Sequence, residues 1–140
     1  MANPLFDRLI APLAARGDAF LTLPDGAALT GAEFYRMAER QAGALVSLGL
    51  KPGDRLAVQV GKSPEALALY AACVMAGIVF LPLNTAYTAD ELEYFIGDSE
   101  AGAVVCDPAA EATVTGIARG VPVLTLDGEG QGSLTERPAQ

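Results

Sequence analysis

The chain has 140 residues, 9 Lys and Arg against 17 Asp and Glu for a net charge of −8, a hydrophobic fraction of 51%, and neither histidine nor tryptophan. That is one domain's length, able to bury roughly 68% of its unfolded surface, and too apolar to stay disordered. Without histidine, Ser-His-Asp and Cys-His nucleophile pairs, histidine zinc sites and histidine proton shuttles are all excluded. The acidic balance argues against nucleic acid or an anionic bilayer as a partner, because both attract cations.

In chain order, residues 1–17 place Asp7 inside the first apolar run with no cation ahead of it, which does not fit a secretory leader. Asn3 followed by Pro4 reads as a helix N-cap and first-turn proline. Residues 19–23 and 27–29 flank the turn tripeptide Pro24-Asp25-Gly26 and predict a hairpin. Thr30 and Glu33 then form a capping box, and Phe34, Met37, Ala38, Gln41, Leu45 and Leu48 follow at helical spacing, apolar but for Gln41. Gly49 closes this helix, Pro52-Gly53 turns the chain, and residues 56–60 form a strand.

Residues 66–89 carry no charge and are long enough to suggest a membrane span. The run is alanine-rich, however, and is interrupted by Gly77 and Pro82. It reads as a helix over 64–76, capped by Ser63 and ended by Gly77, then a short apolar strand over 78–81. Thr88 and Glu91 form a second capping box, opening a helix whose Leu92, Phe95 and Ile96 share a face. Residues 103–106 form a strand, Asp107-Pro108 opens a helix to about 119, and 121–126 form a last strand. Amphipathic helices alternating with fully apolar strands indicate an α/β fold: three layers, a mostly parallel sheet with helices on both faces, and an N-terminal β-hairpin. The domain reading is 1–126 as one α/β unit and 127–140 as a linker or loop tail. Cys73 and Cys106 match no metal spacing and, in a chain without a leader, read as reduced, buried thiols.

Three clusters invite a chemical reading, and each has a plainer one. Gly61-Lys62-Ser63 between strand and helix is the second half of a phosphate-binding loop, but the first glycine of that motif would fall on Leu56, inside the strand. Ser63 as an N-cap beside a solvated Lys62 accounts for the triplet. Gly128, Gly130 and Gly132 fall short of a dinucleotide fingerprint, because its third glycine would be Ser133 and no convincing helix follows; a flexible linker accounts for them. Asp90, Glu91 and Glu93 suit the positive end of a helix dipole better than a metal or acid-base site. No catalytic, cofactor-binding or metal-ligating residue is therefore assigned.

A broader pattern lies in Leu29-Thr30-Gly31-Ala32-Glu33-Phe34, Lys51-Pro52-Gly53-Asp54-Arg55, Ser63-Pro64-Glu65 and, above all, the run from Met75 through Ala76, Gly77 and Pro82 to Asn84. In order and spacing these resemble the opening of the adenylate-forming superfamily of acyl-CoA synthetases, adenylation domains and luciferases, from about residue 19 to 123. The stretch 81–108 resembles malonyl-CoA synthetases more closely than generic fatty-acid ligases. The resemblance implies the first subdomain of the adenylate-forming fold and an N-terminal fragment of an ATP-dependent acid–CoA ligase acting on malonate or methylmalonate. It implies ATP, Mg2+ and CoA as cofactors of the full-length enzyme, a cytoplasmic location, and a downstream phosphate loop and C-terminal lysine, neither of them within these residues. In the family Pro82 ends a core strand, and Gly61-Lys62 here replaces a commoner polar pair before Ser63-Pro64. The fragment alone is expected to bind no cofactor, to be inactive, and to expose apolar surface that the missing remainder would cover, with self-association as a consequence. The alternative is a free-standing flavodoxin-like binding or interaction module.

Overall fold

A computed structural model describes residues 3–23 and 26–136. Asn3 caps the first helical segment, its side-chain oxygen accepting from the Phe6 amide at 3.2 Å, while its side-chain amide donates to the Val74 carbonyl at 2.7 Å. The segment winds as a π-helix over Phe6–Ile10 and tightens to a 3-10 helix over Ala11–Ala15, where Pro12 lacks the N–H that α-helical bonding requires. Strands β1 (Ala19–Thr22) and β2 (Ala28–Thr30) form the expected antiparallel hairpin; Pro24 and Asp25 of its turn lie outside the described residues.

Helix α1 (Gly31–Ser47) begins on the Thr30/Glu33 capping box, with both reciprocal bonds made at 3.0 and 2.9 Å. Gly49, just beyond it, has φ +93°, a left-handed conformation that suits glycine. The strands that follow are β3 (Arg55–Gln59), β4 (Val79–Pro82), β5 (Ala103–Cys106) and β6 (Val123–Thr125). They form one parallel sheet in the order β4-β3-β5-β6. Between them run α2 (Pro64–Ala76), α3 (Ala89–Asp98), a 3-10 turn at Pro108–Ala110 capped by Asp107, and α4 (Glu111–Ile117).

Alternation along the strands divides the core. Leu56, Val58, Ala103, Val105 and Leu124 face Ala44 and Leu45 of α1 and Leu69, Ala72 and Cys73 of α2. Ala57, Val104 and Cys106 face Leu92 and Ile96 of α3 and Val114 of α4. Both faces are therefore covered, as fully apolar parallel strands require. Helix α2 is enclosed twice: its Leu69 and Ala72 meet the sheet, while Ala68 and Ala71 meet Phe34 and Ala38 of α1 and Ile10 and Leu13 of the N-terminal segment. That double burial explains why the sequence is apolar all round at this helix. No helix among the described residues is long and apolar enough to cross a membrane. Gly77 ends α2 at φ +73°, and a Cβ there would sit 3.2 Å from Pro52 Cβ, so this helix end and the following turn are closely packed.

Pro82 is the last residue of β4, the strand end that the family resemblance implies, but that strand is not central in the described sheet. Among the described strands, β4 pairs with β3 alone, and Val79 is 43% exposed, so β4 is an edge. The amides of Val79 and Leu83 point inward to the carbonyls of Asp54 and Val58, leaving Phe80 and Pro82 to face outward. Proline has no N–H to leave unpaired there, which is why an edge tolerates it.

Beyond β6 the expected loop contains one turn of helix, α5 (Ser133–Glu136), and packs onto the sheet. The Asp127 carboxylate accepts from the amides of Glu129 and Gln131 at 2.8 and 2.9 Å. The Thr125 amide donates to Ser133 Oγ and the Ser133 amide to Thr125 Oγ1, both at 2.9 Å. Leu134 is 1% exposed, in the same cluster as Leu45 and Leu126. The order of local signals hid this return, since the partners of Leu134 are distant in sequence.

Candidate functional site

The junction from β3 to α2 is the place where the sequence offers phosphate chemistry. Ser63 caps α2, its Oγ accepting from the Ala66 amide at 3.0 Å, and Pro64 occupies the first turn. Gly61 and Lys62 are exposed, and a Cβ on Gly61 would meet nothing within 4 Å. Leu56 is wholly buried, and residues 56–58 are paired on one side with β4 and on the other with β5. Their backbone N–H groups are held in the sheet ladders, so no loop remains to wrap a phosphate. The triplet is a cap and a solvated lysine.

Doubly wound sheets place ligands outside the carboxyl ends of their strands, where the strand order reverses. Here that point lies between β3 and β5. Buried Gln59 bridges nearby, its Nε2 donating to the Asn84 carbonyl at 2.9 Å and tying the segment after β4 to the end of β3. A concavity lies instead on the β4 side: an open groove of about 1080 Å³. Its walls are Leu21 and Leu23 of the hairpin, Leu67 and Tyr70 of α2, and Phe80 and Pro82 of β4, with Lys62, Glu65 and Glu129 also lining it. Tyr70 meets Phe80 edge to face at 5.4 Å. An anionic ligand would meet the two glutamates as well as the one lysine.

The remaining candidates are structural. Gly130, at φ +83°, lies so close to Glu65 that a Cβ would collide with its side chain, and a Cβ on Gly132 would strike the Thr125 backbone. Close approach explains these two glycines without a dinucleotide; Gly128 has open space around it. Glu91 completes the capping box of α3, its carboxylate accepting from the Thr88 amide at 2.9 Å, and Glu93 pairs with Arg119 at 3.5 Å in solvent. Asp90 sits exposed in the same first turn. Among the described residues no group of three or more Cys, Asp and Glu side chains is disposed to hold a metal ion. Cys73 and Cys106 are free and buried on opposite faces of the sheet. Burial pushes the Cys73 thiol up to about 12 and the Cys106 thiol to about 11, the latter also raised by the carboxylates of Glu111 and Asp107.

The polar exception in the apolar face of α1 has a structural role. Gln41 is 4% exposed and donates from Nε2 to the Glu65 carbonyl at 3.0 Å, joining α1 to the start of α2. Its interruption of that apolar face was the available signal.

Together, a parallel sheet flanked by helices on both faces, an N-terminal hairpin and an apolar groove define an α/β subdomain. The model of the AMP-binding enzyme family matches residues 13–138, and the chain belongs to that family. It is 39% identical over 106 residues to feruloyl-CoA synthase from an Amycolatopsis species, covering 73% of this chain and 22% of that protein. It is 30% identical over 129 residues to long-chain-fatty-acid–CoA ligase FadD13 of Mycobacterium tuberculosis, covering 91% and 26%. The crystal structure of ATP-bound MatB from Rhodopseudomonas palustris superimposes with a TM-score of 0.91 at 46% identity, covering 97% of this chain and 27% of that one. The chain therefore spans about a quarter of the length of these three proteins. It corresponds to the N-terminal portion of the AMP-forming acyl-CoA synthetase architecture, and MatB is among its structural neighbours. The flavodoxin-like alternative gains no support: the strand order suits it, but topology alone does not select a function.

Proposed function

We propose that this chain is the N-terminal part of an ATP-dependent acid–CoA ligase that activates malonate or methylmalonate. The observation that carries this reading is the 46% identity with Rhodopseudomonas palustris MatB over 97% of the chain, joined to the resemblance of residues 81–108 to malonyl-CoA synthetases. In the proposed reaction the carboxylate of the acid attacks the α-phosphate of ATP, expelling pyrophosphate and leaving an acyl adenylate. The CoA thiol, losing its proton, then displaces AMP to give the thioester. The developing phosphate charge calls for preorganised donors and a divalent cation. The residues present here do not fit either need: the β3 amides are held in the sheet, and the described carboxylates form no metal cluster. No step is assigned to them, and the isolated chain is proposed to be inactive. A cytoplasmic location belongs to the same reading.

The test is pyrophosphate–ATP exchange on the full-length protein with malonate, methylmalonate, acetate and octanoate. Malonate or methylmalonate should be preferred. Preference for octanoate would refute the substrate assignment while leaving the ligase class in place.

A further inference from the structure

We propose that the solvent-facing side of α3 is a docking surface for an arginine-bearing segment of a second protein, seated on Tyr94 between Asp90 and Asp98. Aromatic surface gathers on this helix. Tyr87 stacks on Phe95 with ring centroids 5.0 Å apart, Tyr94 meets Phe95 edge to face at 5.3 Å, and Tyr94 and Phe95 are 64% and 36% exposed. Leu92 and Ile96 turn into the core, which leaves Tyr94 on the opposite side of the helix. Charge complementarity names the occupant. Residues 83–122, which hold α3, β5 and α4, carry seven carboxylates against the single cation Arg119, a net −6 of the chain's −8, whereas residues 1–82 balance seven against seven. Asp90 and Asp98 stand four residues before and after Tyr94 in one row, with neighbouring Cβ atoms about 5–6 Å apart. The described ion pairs are Arg16–Asp18 and Arg119–Glu93, so neither carboxylate of the row has a cation of its own. Asp90 suits the positive end of the helix, but Asp98 stands at the negative end, where a carboxylate is disfavoured; helix stability does not account for the row. An exposed aromatic ring between two such carboxylates fits a guanidinium, which stacks on the ring and donates two parallel hydrogen bonds to a carboxylate. A lysine ammonium lacks that flat fork. Other occupants meet the wrong charge. A second copy docked through the same face would bring its own −6 layer, and nucleic acid or an anionic bilayer would be repelled.

Fluorescence anisotropy on the full-length protein tests this, with two fluorescein-labelled dodecapeptides, one alternating glycine with arginine and the other glycine with lysine, at about 0.15 M salt. The arginine peptide is expected to bind saturably and at least about threefold more tightly than the lysine peptide. Tyr94→Ser should weaken it about threefold to fivefold, as loss of an exposed cation–π contact does. Asp90→Asn/Asp98→Asn should weaken it about fivefold, whereas Asp7→Asn/Glu39→Gln, which removes two exposed charges from the other face of the sheet, should change it less than about twofold. Every variant should keep its Tm within about 2 °C, since the substituted side chains are already in solvent. Absence of saturable binding would overturn the proposal. Equal affinity for the two peptides, or a loss from Asp7→Asn/Glu39→Gln as large as that from Asp90→Asn/Asp98→Asn, would overturn it by assigning the attraction to net charge alone. So would a Tyr94→Ser variant that binds like the parent, or one whose weaker binding is matched by a fall in Tm. A dimer that Tyr94→Ser dissociates, with no peptide bound, would give the face to a second copy instead.

Discussion

Leu134→Ala distinguishes a free tail from a packed one. Leu134 is 1% exposed and packs with Leu45, Leu124 and Leu126, while Ser133 beside it exchanges hydrogen bonds with Thr125. The substitution removes three carbon atoms from a closed environment, and at about 0.8 kcal/mol per buried methylene the transfer loss alone is roughly 2.4 kcal/mol. A residual cavity adds to this, so the expected destabilisation is about 2–4 kcal/mol. One further outcome bounds it. The helix is four residues long, so the variant could release residues 127–136 locally, and the loss then levels off at the free energy with which that segment docks. Urea unfolding followed by circular dichroism measures the global change, and hydrogen exchange at Thr125 and Leu126 reports local release. A loss below about 0.5 kcal/mol with unchanged exchange at β6 would show that Leu134 contributes nothing to the core and would refute the packing described here.

Gly132→Ala should destabilise the chain by about 2 kcal/mol or more in the same urea titration, because its Cβ has only the Thr125 backbone to enter and its φ of +150° disfavours a side chain. Gly61→Ala, with open space around it, should stay within about 0.5 kcal/mol; a reversed order would mean that Gly61 has a role the fold does not explain. The two thiols set an alkaline limit. Each is raised above its ordinary value, so the unfolded chain ionises first; their contribution is intact below the ordinary thiol pKa and is lost as pH climbs toward about 11 and 12. Neither thiol should react with Ellman's reagent at pH 8 until urea unfolds the chain, and prompt reaction without urea would contradict their burial.

The elements that the sequence announces are those whose signals are local. Thr30 with Glu33 and Thr88 with Glu91 mark helix starts because each side chain satisfies an amide only three residues away. Gly49 and Gly77 mark helix ends because a positive φ is a property of one residue. What stays hidden depends on partners far along the chain. Helix α2 resembles part of a membrane span because it is covered on both sides, and only the placement of α1 and the N-terminal segment reveals that. Pro82 reads as the end of a strand from sequence, whereas its edge position follows from where β5 pairs. Leu134 shows no periodicity in its own neighbourhood, yet it closes the core of one sheet face. The groove follows the same rule with the opposite sign. Leu67 and Tyr70 belong to an apolar run like their buried neighbours, and nothing local distinguishes a half-exposed side chain from a covered one. Family motifs from residue 29 to 84 identify the class because, taken in order and spacing, they record the whole architecture rather than any one local element.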